Sequence, residues 1–369
     1  GYGAIYAASK PFYEKHRDWG LYTSAGDPHI FINTFCIMNI ASSCPWRKRI
    51  IGQYERAVLE IGFDGIHMDT YGYPKTAFDS QGNSIRLSHE FASLIEETRE
   101  TLKEARLIFN NVGNWPVRPV ANAPQDAIYI EVWDPYSRYS HIRQIILDAR
   151  LSCNNSKTVV LAAYLAPFRT GDPDQALNSA RLLLAATASN GATNLLIGER
   201  DAVLTQGYYV DHILLKEQQV FVLRQYFDFS VRYEELFFDP SLEDISFTHI
   251  GGDNQEYRYS GPAWSPDGQA DTIWLTLREN ESRKVISIIN LLGNDDSWNA
   301  GKKQPVSGGA LRFAVQVDHK PCSVWMASPD NGGHPLELPF DFEITDRGHT
   351  AAFAVDAPEF WGLVFLELG

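Results

Sequence analysis

The feature that most constrains this chain is an alternation, through its first two-thirds, of short β-branched or aromatic runs with amphipathic stretches at helical spacing. The runs that read as strands are residues 3–8, 29–35, 63–69, 106–112, 127–133, 158–165 and 193–199. Helical periodicity occupies 49–61, 89–104, 138–152 and 174–190, and a long candidate helix spans 213–236. Parallel strands need a crossover between them, usually a helix, so the pattern predicts an α/β fold with a parallel sheet. A (β/α)8 TIM barrel is the expected form. Seven strand steps leave it one short, and the shortage falls where the chain begins. The expectation is therefore that an upstream segment carrying the first strand is missing from this chain, since an unpaired edge is one natural folds avoid. An open doubly wound sheet is the alternative, but no strand-to-helix turn carries a Gly-rich phosphate loop.

Around Phe238-Asp239-Pro240 the pattern becomes short alternating strands separated by Gly, Asn, Asp and Pro clusters. The clearest are 272–278, 284–290, 312–317, 323–327, 351–354 and 359–368. Such spacing without helices predicts an antiparallel β-sandwich. Two domains are thus expected: residues 1–240, an N-terminally truncated barrel carrying catalysis, and residues 241–369, the sandwich. The 369 residues suffice for a barrel of about 250 and a second domain of about 100.

A net charge of −14 argues against a nucleic-acid partner, because phosphate binding wants clustered Lys and Arg. No apolar stretch reaches the roughly 18 residues of a membrane span. Cys36, Cys44, Cys153 and Cys322 form no zinc spacing; buried free thiols are the favoured reading over a Cys36–Cys44 disulfide. The start at Gly1-Tyr2-Gly3 has neither an initiator Met nor a signal sequence. The chain also lacks H-E-x-x-H, G-x-S-x-G, a Walker loop and a dinucleotide fingerprint, so neither metal nor cofactor is expected.

Two strands deliver a carboxylate to their C-terminal ends, where a barrel keeps its catalytic groups: Asp69 in Ile66-His-Met-Asp69 and Glu131 in Ile128-Tyr-Ile-Glu131-Val-Trp133. Two carboxylates facing one pocket are the equipment for cleaving a glycosidic bond. Asp69 alone also fits a loop-opening Asx turn, and Glu131 alone a structural ion pair. Alternation puts His67 on the face of Asp69. Asp134 fits either a helix N-cap or a substrate hydrogen-bond partner. Asn110, Trp133, Tyr164 and Glu199 stand at other strand ends, where amides and carboxylates take sugar hydroxyls and aromatic rings stack on pyranose faces.

These blocks resemble glycoside hydrolase family 66: Ile50-Ile-Gly-Gln-Tyr54, Ile61-Gly-Phe-Asp-Gly-Ile-His-Met-Asp69, Ile108-Phe-Asn110, Tyr129-Ile-Glu131-Val-Trp133, Thr158 to Tyr164 and Gly198-Glu199. The similarity runs from about residue 2 to residue 240, with order and spacing kept. The family contains dextranases and cycloisomaltooligosaccharide glucanotransferases. Membership implies a (β/α)8 catalytic domain preceded by an immunoglobulin-like domain and followed by a Greek-key sandwich, with the nucleophile at Asp69 and the acid/base at Glu131. The family's N-terminal domain and first barrel strand have no counterpart here, so that segment of the same protein is an expected partner of the site. The implied reaction is retaining hydrolysis of α-1,6-glucosidic bonds in dextran, outside the cell. The cyclising transferase differs by a carbohydrate-binding module inserted after the seventh strand, where this chain has only the short segment 165–174. A non-catalytic glycan-binding protein on a hydrolase-like barrel is the reading from another class.

Overall fold

The computed structural model describes residues 4–207, 212–345 and 348–369, so Gly3 of the first expected strand lies outside the described residues. The chain divides into two compact units, Gly1–Pro135 with Asp148–Ala162, and Tyr136–Leu147 with Ala163–Gly369.

In the first unit the strands Gly65–Met68, Arg106–Val112, Ala127–Glu131 and Val159–Ala162 run parallel, in that order. Their connections are helical, as parallel pairing requires: the helix Leu87–Thr101 precedes the second strand and buries Phe91, Leu94 and Ile95 in one cluster with Leu107 and Phe109. Gly65 is required by close approach, because a Cβ there would lie 2.0 Å from the carbonyl oxygen of Arg106. The expected helix at 49–61 starts earlier, with Pro45 at its first turn, runs to Glu55 and widens into a π-helical turn over Arg56–Ile61. Gly62, at φ 90°, ends it.

The strand expected at 29–35 is not a β/α step. It is a hairpin of Ile30–Phe31 and Phe35–Ile37, folded back through Ile32 and Asn33, whose φ values of 45° and 59° are left-handed. Phe35–Ile37 also pairs antiparallel with Ala7–Ser9. A short apolar run carries no mark of parallel or antiparallel pairing, so sequence overcounts the steps. No closed barrel is found among the described residues; the fold of this unit is mixed α/β.

The second unit contains the expected sandwich. One sheet joins Ile273–Glu279, Arg283–Asn290, Trp361–Glu367 and Ser323–Ala327; the other joins Tyr257–Ser260, Ala310–Val317, Gly348–Asp356 and Asp341–Thr345. Leu275, Leu277, Ile286, Val364 and Leu366 of the first sheet share a core with Leu311, Phe313, Val315 and Phe353 of the second. The helix Pro173–Ser189 is capped by Asp172, whose carboxylate accepts from the N–H groups of Asp174 and Gln175. The helix expected at 213–236 is split: a strand, His212–Leu214, precedes helices Glu217–Arg232 and Glu234–Phe237. All four cysteines are free, with Cys322 exposed and the other three buried. No helix among the described residues is long and apolar enough to cross a membrane.

A buried ion pair in this unit sets an acid limit. Arg143 donates through Nη1 and Nη2 to Asp244, at 2.6 and 2.8 Å. Burial alone would raise the Asp244 carboxyl, but the hydrogen bonds and charge of Arg143 outweigh it and hold it below the usual carboxylate range. Its contribution to stability is therefore complete above about pH 4 and is lost as the pH falls through the depressed folded value. Arg143→Ala should cost about 3 kcal/mol in urea unfolding at neutral pH, because it strands a buried carboxylate, and the gap to the parent should shrink on acidification. An equal gap at both pH values would show that the loss comes from packing alone.

Candidate active site

Register brings three side chains to one edge of the parallel sheet. Met68 lies opposite Phe109, Asn110 opposite Tyr129 and Val112 opposite Glu131. Because strand side chains alternate, His67, Asp69, Asn110, Tyr129 and Glu131 share one face. Phe109, Asn111, Ile128 and Ile130, all fully buried, take the other. Asn111 is thus a structural residue: its amide donates to the Tyr129 carbonyl at 2.9 Å.

Asp69 follows the first strand and is fastened on several sides. Its Oδ1 accepts from the Thr70 N–H at 2.9 Å and from Asn110 Nδ2 at 2.8 Å. The same Asn110 Nδ2 donates to Glu131 Oε2 at 3.2 Å. The two carboxylate oxygens cannot lie further apart than the sum of those two distances to their shared nitrogen. Thr70 Oγ1 in turn donates to the Asn110 carbonyl at 3.0 Å, locking the loop to the neighbouring strand.

Sequence reasoning missed Tyr6, which is fully buried. Its hydroxyl accepts from the Tyr71 N–H at 2.9 Å and donates to the Tyr73 carbonyl at 2.8 Å, while the Ile5 N–H donates to the Asp69 carbonyl at 2.9 Å. Burial pushes the Tyr6 phenol far above its ordinary value, so it serves as a neutral brace. The one available signal was an aromatic inside a short apolar run, Gly3-Ala-Ile-Tyr6-Ala-Ala.

His67 packs its ring edge-on against Tyr129, with centroids 4.8 Å apart. The residue is exposed at the strand end. The crowded strand ends still desolvate it enough to lower its pKa, against the opposing pull of the Asp69 charge. Trp133 is 42% exposed, two residues beyond Glu131. The next helix begins only at Tyr139, which removes the N-cap reading of Asp134. Tyr164, buried, and Glu199, exposed at the start of a 3-10 turn, belong to the second unit. The residues brought together are Asp69, Asn110 and Glu131, with His67 and Tyr129 on the same face. No group of three or more His, Cys, Asp or Glu among the described residues is arranged to hold a metal ion.

Comparison with known proteins gives one coherent set. The profile of Glycosyl hydrolase family 66 matches residues 1–365. A cycloisomaltooligosaccharide glucanotransferase of Niallia circulans is 22% identical over 95% of this chain and 50% of its own length. A dextranase of Streptococcus salivarius is 24% identical over 87% of this chain and 46% of its own length. The chain thus spans about half the length of the curated relatives it matches. Among solved structures, a Paenibacillus sp. cycloisomaltooligosaccharide glucanotransferase complexed with cycloisomaltoheptaose superposes with a TM-score of 0.86 at 21% identity, covering 98% of this chain and 72% of that one. An α-amylase of Geobacillus thermoleovorans complexed with acarbose gives 0.57 at 10% identity, covering 99% and 76%.

Proposed function

The chain belongs to glycosyl hydrolase family 66, and on that premise we propose that it hydrolyses α-1,6-glucosidic linkages of dextran with retention of configuration. Asp69 is the nucleophile and Glu131 the acid/base. The carboxylates stand at the carboxyl ends of parallel strands, which supports a (β/α)8 catalytic domain continuing to about residue 240, with the sandwich beyond it.

The observation that carries this reading is the amide shared by the two carboxylates. A retaining pair stands about 5 to 5.5 Å apart, and an inverting pair leaves about 6.5 Å or more for a water. The bonds of 2.8 and 3.2 Å to one nitrogen draw one oxygen of each carboxylate towards the other, which supports a retaining pair. In the first step Asp69 attacks the anomeric carbon as Glu131 protonates the departing glycosidic oxygen, and the bond's electron pair leaves with that oxygen. In the second, Glu131 takes a proton from water, the hydroxide oxygen bonds to the anomeric carbon, and the carboxylate of Asp69 is released. His67, Trp133 and Asp134 are the sugar contacts proposed from this unit. A substrate of this size places the reaction outside the cell.

Cyclising transfer is the second reading, since relatives of both names match. The short segment between Leu165 and Asp174, occupied by the four-residue helix Pro167–Thr170, favours hydrolysis because it holds no inserted module. Incubation with dextran and chromatography of the products tests this. A ladder of linear isomaltooligosaccharides is expected. Cyclic products would move the assignment to the transferase; product only from a chain extended upstream would keep the site reading, and no product from either would leave only glycan binding.

A further inference from the structure

Asn110 is 4% exposed, and its amide is committed in full. An amide NH2 has two hydrogens. One goes to Asp69 Oδ1 and the other to Glu131 Oε2. The amide Oδ1 is buried and without a hydrogen-bond partner. Leaving a buried acceptor unpaired is costly, and the flipped amide would regain no bond, because it would turn an oxygen toward two acceptors. The side chain is therefore oriented by the carboxylates and has no donor left for a sugar hydroxyl.

We infer that Asn110 is a positioning residue that binds no sugar: its amide fixes the spacing of Asp69 and Glu131 and leaves Asp69 Oδ2 for chemistry. This rests on the retaining reading above. Asp69 Oδ1 is taken by Thr70 and Asn110, and among the described residues Oδ2 accepts no hydrogen bond. Oδ2 is thus the atom that attacks the anomeric carbon. Glu131 Oε2 accepts from Asn110, which holds the carboxyl in place as its proton is delivered.

The arrangement suits a reaction in which negative charge changes owner. Before the first step Asp69 is anionic and Glu131 carries the proton. After it, Asp69 is a neutral glycosyl ester and Glu131 is the anion. Water then gives its proton to Glu131 and its oxygen to the anomeric carbon, the carbon–Oδ2 bond breaks, and its electron pair returns to Asp69. One NH2 group touches the anion in both states without moving, which spares the site reorganisation.

The test compares Asn110→Asp and Asn110→Ala with the parent and with Asp69→Asn in the full chain. It measures kcat and KM on an isomaltooligosaccharide, the pH–rate profile and thermal melting. Loss of about 100-fold or more in kcat is expected, with KM held within about threefold. The isosteric Asn110→Asp should recover activity toward low pH, where the new carboxyl bears a proton it can donate; Asn110→Ala should not. A raised KM with kcat preserved would make Asn110 a sugar ligand and overturn the inference. So would losses that merely follow a lowered melting temperature with an unaltered pH profile. Full turnover by Asp69→Asn would instead overturn the functional reading beneath it, an outcome separable from the other two.

Discussion

Asp69→Ala is expected to lower kcat on dextran by about 10⁵-fold while binding of the polymer persists, the largest effect of any single substitution in this chain. Removing a nucleophile costs that order because the remaining groups act as a unit with it and cannot substitute for it. The loss should fall in kcat and not in folding, since Asp69 is half-buried at a strand end and Thr70 and Tyr6 brace the loop independently. Azide offers a direct check. The small anion fits the space left by the carboxylate, attacks the anomeric carbon from the same side, and takes the place of the leaving oxygen, which Glu131 still protonates. The product is a glucosyl azide of inverted configuration. Turnover that survives Asp69→Ala would remove the residue from the chemistry.

Glu131→Gln should cost about 10³-fold in kcat on dextran, within the range measured for loss of general acid–base assistance. The amide keeps the shape of the side chain but has no proton to give. A substrate whose leaving group is already a good one, such as an aryl glucoside, needs no such proton for the first step. It should therefore react in a rapid burst and then stall as the glycosyl-enzyme, because no base activates the water. A burst of released phenol followed by slow steady turnover would confirm the split role. Equal loss on both substrates, with no burst, would mean that Glu131 holds the site in shape and does not move a proton.

Much of the architecture was legible in the residues. The strand Arg106–Val112 and the sandwich strand Ser323–Ala327 have the bounds that alternation suggests, and both carboxylates stand where strand ends were read. The hairpin at Ile30–Phe31 and Phe35–Ile37 was not legible, because its reversal depends on two left-handed residues, one of them an isoleucine that rarely adopts that conformation. Asn110 was placed at the right strand end, but its bonds to both carboxylates were not foreseen. Spacing along one strand cannot reveal that residues 41 positions before and 21 positions after it would both accept from the same nitrogen. Tyr6 lay further out of reach, since its role exists only once Tyr71 is folded over it.

Gly65 gives the site an unexpected dependence. It sits at the base of the strand that ends beside Asp69, about 13 Å away at the rise of an extended chain, and it lets that strand lie flush against the carbonyl of Arg106. The neighbouring strand leads from Arg106 to Asn110. The two strands behave as the arms of a caliper closed at Gly65, and the reading taken at its open end is the gap between Asp69 and Asn110, whose amide reaches on to Glu131 of the third strand. The spacing of the Asp69–Asn110 bond is thus gauged in part by the absence of a methyl group at the far end of the sheet.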